Sequence, residues 1–124
     1  MSQLRNELMR VYKRKVVEQV ERRVATIALD ILGTIKVLTP VDTGRARSNW
    51  HLDVGTRNVV LVEPGGDLPP QTALYTIDKT IWISNNLPYI RRLNDGYSKQ
   101  APAGFVQDAV AIAKKRGERR KIKL

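Results

Sequence analysis

Leu4, Leu8, Val11, Tyr12, Val16, Val20, Val24, Ile27, Ile31, Ile35 and Leu38 recur at steps of three and four, with Arg, Lys, Glu and Gln between them. That is the period of an apolar stripe on a helix, and it predicts one long helix over residues 2–39. Pro40 closes the pattern, because proline disfavours the helical conformation of the residue before it. Gly33 marks a kink or an early end. At a rise of 1.5 Å per residue, a helix of about 35 residues spans roughly 50 Å. A compact domain of this size has a radius of gyration of about 14 Å. A straight helix therefore overshoots its own domain. Either it breaks, or its free end packs on another subunit; the second is the expectation here.

The pattern then changes from period 3.6 to period 2. Asp42-Thr43-Gly44 is turn or cap chemistry, with Asp42 or Thr43 placed to cap a short helical turn through Arg47. Residues 49–55, NWHLDVG, alternate as a half-buried strand does, with Trp50, Leu52 and Val54 on one face. Residues 59–62, VVLV, are a second short β-prone run. Residues 65–71 form a Gly- and Pro-rich loop. Residues 70–78 fit either a short helix entered at Pro70 or a strand. Residues 79–84, KTIWIS, read as a strand with Ile81 and Ile83 on one face and Trp82 on the other. Residues 103–116 form a second amphipathic helix, and residues 117–124 a mobile basic tail. The order predicts one α+β domain over residues 1–116: a long N-terminal helix, a small antiparallel or mixed sheet, and a short C-terminal helix.

Composition sharpens this picture in two ways. The 124 residues carry a net charge of +10 and no cysteine. The absence of cysteine excludes disulfides and cysteine metal sites, and fits a reducing cytoplasm. The charge is unevenly placed. Residues 1–40 hold eight Lys/Arg against four Asp/Glu, residues 114–124 hold seven against one, and residues 41–113 hold seven of each. The basicity lies at the two ends. No apolar run approaches the roughly 20 residues that span a bilayer, and the N-terminus has no apolar signal core.

Candidate chemistry is sparse. His51 is the single histidine, and HLD places it on the same strand face as Asp53, about 7 Å away; the expectation is a half-exposed strand histidine. There is no GxxxxGK[ST] and no GxGxxG phosphate loop. The carboxylates Asp42, Asp53, Glu63, Asp67, Asp78 and Asp95 show no metal-ligand spacing. No enzyme activity, metal or cofactor is expected. The basic ends are compatible with salt-dependent, sequence-blind binding to nucleic acid. The aromatic residues, however, sit in the neutral middle, away from the basic ends where stacking would need them.

The remaining singular stretch is NNLPYIRRLNDGYSKQAPAGF, residues 85–105. Ser84-Asn85-Asn86 ends a strand in turn chemistry. Pro88 fixes a dihedral, Tyr89 and Ile90 begin a short helix carrying Arg91 and Arg92, and Gly96 ends it. The segment is expected to be a rigid elbow between sheet and last helix. Its order of residues resembles a motif of tailed-bacteriophage neck or tail-completion proteins, the small tail components related to the lambda minor tail protein Z. The steps are Asn85, Asn86, Pro88, Tyr89, Gly96, Tyr97, Ser98, Lys99, Gln100, Ala101, Pro102 and Gly104. The upstream PVDTGRARSNW is similar to a second motif of that family through Pro40, Val41, Asp42, Thr43, Gly44, Arg45 and Trp50. The two motifs and the span between them cover about half of the chain. Ile90, Asn94-Asp95 and Phe105 depart mildly from the pattern.

The resemblance implies a structural virion protein at the head–tail junction or the top of the tail. It would belong to a hexamer-like ring that completes the tail and enables head joining. Its partners would be copies of itself and other neck, tail-terminator or tail-tube proteins, with possible contact to DNA in the channel and none to a membrane. The resemblance implies no catalytic site. A tail-terminator or head-completion ring is the nearby alternative, and a nonspecific nucleic-acid-binding module is the alternative of another class. Arg45, Arg47, Arg91 and Arg92 are the contact candidates, and Trp50 and Trp82 are expected in the core or at subunit contacts.

Overall fold

The computed structural model describes residues 2–40, 44–96 and 103–119. Its elements are helix α1 (Ser2–Leu38), helix α2 (Arg45–Ser48), strand β1 (Trp50–Val54), a 3-10 turn (Thr72–Leu74), strand β2 (Ile81–Asn85), helix α3 (Ile90–Asn94) and helix α4 (Phe105–Glu118). This is the expected α+β arrangement, with an antiparallel sheet of two strands.

The strand register explains the core. Trp50 pairs with Asn85, Leu52 with Ile83 and Val54 with Ile81, so these five apolar residues share one face, while Trp82, opposite Asp53, lies on the other. That face packs on Ala28, Leu32 and Ile35 of α1 and on Phe105 and Ala109 of α4. Leu52 and Ala109 are fully buried. α4 lies against α1 through Ala109, Ala113 and Gly117, spaced by one helical turn. A Cβ at Gly117 would stand 3.2 Å from the Ile27 side chain, so glycine there sets how closely the two helices approach. Arg116 completes the seam, its Nη1 donating to Asp30 at 2.7 Å and to Thr34 at 3.1 Å.

The C-terminal ends of α1 and α4 are closed by side chains. Arg47 Nε donates to the Lys36 carbonyl at 2.8 Å, satisfying an acceptor that the end of α1 leaves free. Arg23 does the same for α4 through the Gly117 carbonyl at 3.0 Å. Arg47, a contact candidate from sequence, is thus a cap.

Several expectations need correction. Gly33 does not end the helix, which runs unbroken to Leu38. The apolar stripe of α1 is not one face. At about 100° per residue its positions rotate along the helix, so Leu4, Leu8 and Val11 lie roughly opposite Ile35 and Leu38. Leu4, Leu8, Val11 and Tyr12 are all exposed. Residues 59–62 form no strand, because side chains engage their backbone: Asn49 bonds both the N–H and the carbonyl of Val62, and Asn86 bonds the carbonyl of Val60. Of the two placements expected for Trp82, core or subunit contact, the core is excluded: it is 42% exposed and its Nε1 donates to the Gly55 carbonyl. The last helix continues through Gly117 and Glu118, two residues into the span read as a tail. Asp42, Thr43 and the rest of that tail beyond Arg119 lie outside the described residues. The residue at the N-cap position of α2 is Gly44, at φ +73°.

Candidate functional site

Two regions stand out: a buried polar junction beneath the first strand, and the exposed end of α1.

The junction grows from β1. Because Trp50, Leu52 and Val54 face the helices, His51 and Asp53 must face the other way. The segment 58–62 and Asn86 cover that side, and His51 is only 1% exposed rather than half-exposed. Most buried polar atoms find a hydrogen-bond partner. His51 Nδ1 lies 2.9 Å from Asp53 Oδ2, which also accepts the Asn58 N–H at 3.0 Å. The Asn86 amide nitrogen lies 3.0 Å from His51 Nε2 and 2.8 Å from the Asn58 carbonyl. A carboxylate accepts and an amide N–H donates, so the imidazole donates through Nδ1 and accepts at Nε2. Ser84 stands directly across the ladder from His51. Its hydroxyl is buried and makes no hydrogen bond, while both ring nitrogens are directed elsewhere. The histidine, aspartate and serine therefore form no nucleophile–base relay. They hold a loop onto a sheet.

The asparagine pair of the elbow has the same character. Asn85 donates to the Ala46 carbonyl at 2.8 Å and accepts the Leu87 N–H at 3.1 Å, tying α2 to the elbow. Asn94 extends the pattern to the last helix by accepting the Val106 N–H at 2.9 Å. Gly96 follows α3 at φ +101°, with Ala103 close enough to resist a side chain there. Gly104 precedes α4 at φ +84°, and its N–H donates to the Asn94 carbonyl at 2.7 Å. The motif residues Trp50, Asn85, Asn86, Gly96 and Gly104 thus converge on the junction of sheet and helices. Pro40 is buried just beyond α1. Pro88, Tyr89, Arg91 and Arg92 differ, for they line a surface cleft with Asp95. Tyr97, Ser98, Lys99, Gln100 and Pro102 lie outside the described residues. The signal that sequence reasoning missed was Asn49, whose side-chain amide pairs with a distant backbone as a strand neighbour would.

The second region is the arm of α1. Residues 2–15 are exposed throughout. The first side chain of α1 that is buried is Ala28. Leu4, Leu8 and Met9 with Arg5 line an apolar hollow on the arm. Arg5, Arg10, Lys13, Arg14 and Lys15 make it basic.

Among the described residues no group of acidic, histidine or cysteine side chains is placed to hold a metal ion. No described helix is long and apolar enough to cross a membrane. No protein-family model, curated protein or solved structure matches the chain.

Proposed function

We propose that the chain is a structural subunit of a tailed-phage virion. It acts at the head–tail junction or the top of the tail, completing the tail for head joining as part of a ring. The particular position rests on the resemblance of residues 40–50 and 85–104 to the neck and tail-completion family. The class of function, an assembly subunit, rests on one observation: α1 carries Leu4, Leu8, Met9, Val11 and Tyr12 into solvent on an arm that its own domain does not cover. Such a row of exposed large apolar side chains favours association over a free monomer, and contiguous apolar patches of this kind mark interaction sites. A tail-terminator or head-completion position would use the same features.

The test is incorporation. Tails assembled without this chain are mixed with purified protein and then with DNA-filled heads. The expected result is that the protein sediments with the tails and restores infectious particles. Tails that neither bind it nor gain heads would refute the proposal.

A second reading is favoured by the exposed cations of the arm: contact with DNA through phosphates. It requires affinity that falls steeply with salt, losing about one unit of slope for each cation removed.

A further inference from the structure

The exposed side of α1 carries two apolar patches, one at each end, and both look the same way. At about 100° per residue, Leu4, Leu8, Val11 and Tyr12 lie within the same helical sector as Leu29, Gly33 and Val37. The first patch stands on the arm. The second forms one wall of a groove of about 440 Å³ whose other wall is Ile112 and Arg116 of α4. Leu8 is 62% exposed and Val37 is 72% exposed, so both patches are open. Gly33 is a notch in the second patch, because nothing lies within 4 Å of where its Cβ would be.

We infer that α1 pairs antiparallel with the α1 of a second copy, about a two-fold axis between Val20 and Glu21. The spacing within the chain dictates this register. When Leu8 of one copy is set against Gly33 of the other, Leu4 falls beside Val37 and Ile112, and Tyr12 falls beside Leu29. The most exposed apolar side chain of the arm meets the glycine of the groove lining. The polar centre matches as well. In an antiparallel pair the same flank of each helix faces its counterpart. Glu18 and Arg22 share one flank, where they form an exposed pair at 3.8 Å within one chain. In the dimer each also faces its opposite in the partner, and the two-fold repeats the contact. Pairing arm with arm instead would set the cations of one arm against those of the other.

The size is adequate. Overlap of residues 4–37 is about 50 Å long, and a helix seam about 10 Å wide gives roughly 500 Å² per copy before the α4 wall is added. That brings the total near the lower bound of stable interfaces, about 1,200 Å². The dimer is therefore concentration-dependent. It goes beyond the assembly reading, sharing with it only the idea that the arm is an interface. Copies arranged around a ring by rotation alone cannot make this isologous contact. The dimer is the form of the free protein, and its arms part on incorporation.

The chain has no cysteine, so introduced thiols report without background. Leu8→Cys and Gly33→Cys are made singly and together in the full chain. Mixing the two single variants under mild oxidation is expected to give a cross-linked dimer, while each alone gives almost none, since two copies of Leu8 stand roughly 38 Å apart. The double variant is expected to close as a dimer and stop. Gly33→Gln keeps the helix and fills the notch; it is expected to weaken association by about tenfold, read by analytical ultracentrifugation, with unchanged helical circular dichroism. A monomer at submillimolar concentration, Leu8→Cys cross-linking to itself, or a ladder of higher oligomers from the double variant would overturn the pairing. Each of these results leaves incorporation into tails as a separate measurement.

Discussion

The indole Nε1 of Trp50 donates to the Thr39 hydroxyl at 2.8 Å, and that hydroxyl donates in turn to the Ile35 carbonyl. Trp50 opens the first strand, and Thr39 stands one residue beyond the long helix. The relay therefore fixes where the sheet begins relative to where the helix stops. Both residues are buried. Thr39→Val keeps the shape and removes the acceptor, leaving a buried indole N–H unpaired. The expected loss is about 1–3 kcal/mol in urea denaturation. Thr39→Ser, which keeps the hydroxyl, is expected to lose much less.

The His51–Asp53 pair behaves as a structural unit. His51→Leu leaves a carboxylate that is 3% exposed with the Asn58 N–H but without the imidazole, and Asp53→Leu strands the ring N–H. Each is expected to cost about 3 kcal/mol, because removal of one member leaves the other without its buried partner. The double replacement is expected to cost less than the two singles added together, which a double-mutant cycle measures. Nitrogen-detected NMR is expected to show the Nδ1–H form of the imidazole.

The fold class and the helix, strand and elbow positions were legible because each rests on local pattern: period 3.6 through α1, period 2 through Trp50–Val54, and Gly96 at a left-handed position. What was not legible depended on distant partners. Residues 59–62 have strand composition, yet the Asn49 and Asn86 side chains occupy their backbone groups. His51 lies on the polar face of its strand, and only the return of residues 58–62 buries it. The apolar positions of α1 satisfy steps of three and four throughout, but steps of four outnumber steps of three, so the stripe turns around the helix. Local spacing conceals that rotation, which splits one expected face into a core half and an exposed arm.

Gly96 and Gly33 are expected to respond oppositely to alanine. At Gly96 the backbone is at φ +101° and a Cβ would meet Ala103 at 3.2 Å. Gly96→Ala is expected to lower stability by about 1–2 kcal/mol. Gly33 is an exposed helical residue with open space, and Gly33→Ala is expected to raise it by up to about 1 kcal/mol. Thermal melts at low protein concentration, where association does not contribute, separate the two.

The hydrogen bond from the Thr76 hydroxyl holds the Asp78 carboxyl below the ordinary carboxylate range. A depressed carboxylate contributes stability that is present above its unfolded value and lost as pH falls through the folded one. Asp78 is at the surface, so the effect on unfolding is small. Its NMR titration is nonetheless expected to move upward, toward the ordinary value, in Thr76→Val.

The central claim is that the arm of α1 serves assembly and not folding. It is tested most directly by deleting residues 2–15 and comparing the shortened and full chains in two assays, thermal unfolding and joining of heads to tails made without the protein. Residues 2–15 bury nothing within their own domain, so at low protein concentration the shortened chain is expected to melt within a few degrees of the full one yet fail to restore joining. A shortened chain that joins heads to tails as well as the full chain would contradict the account.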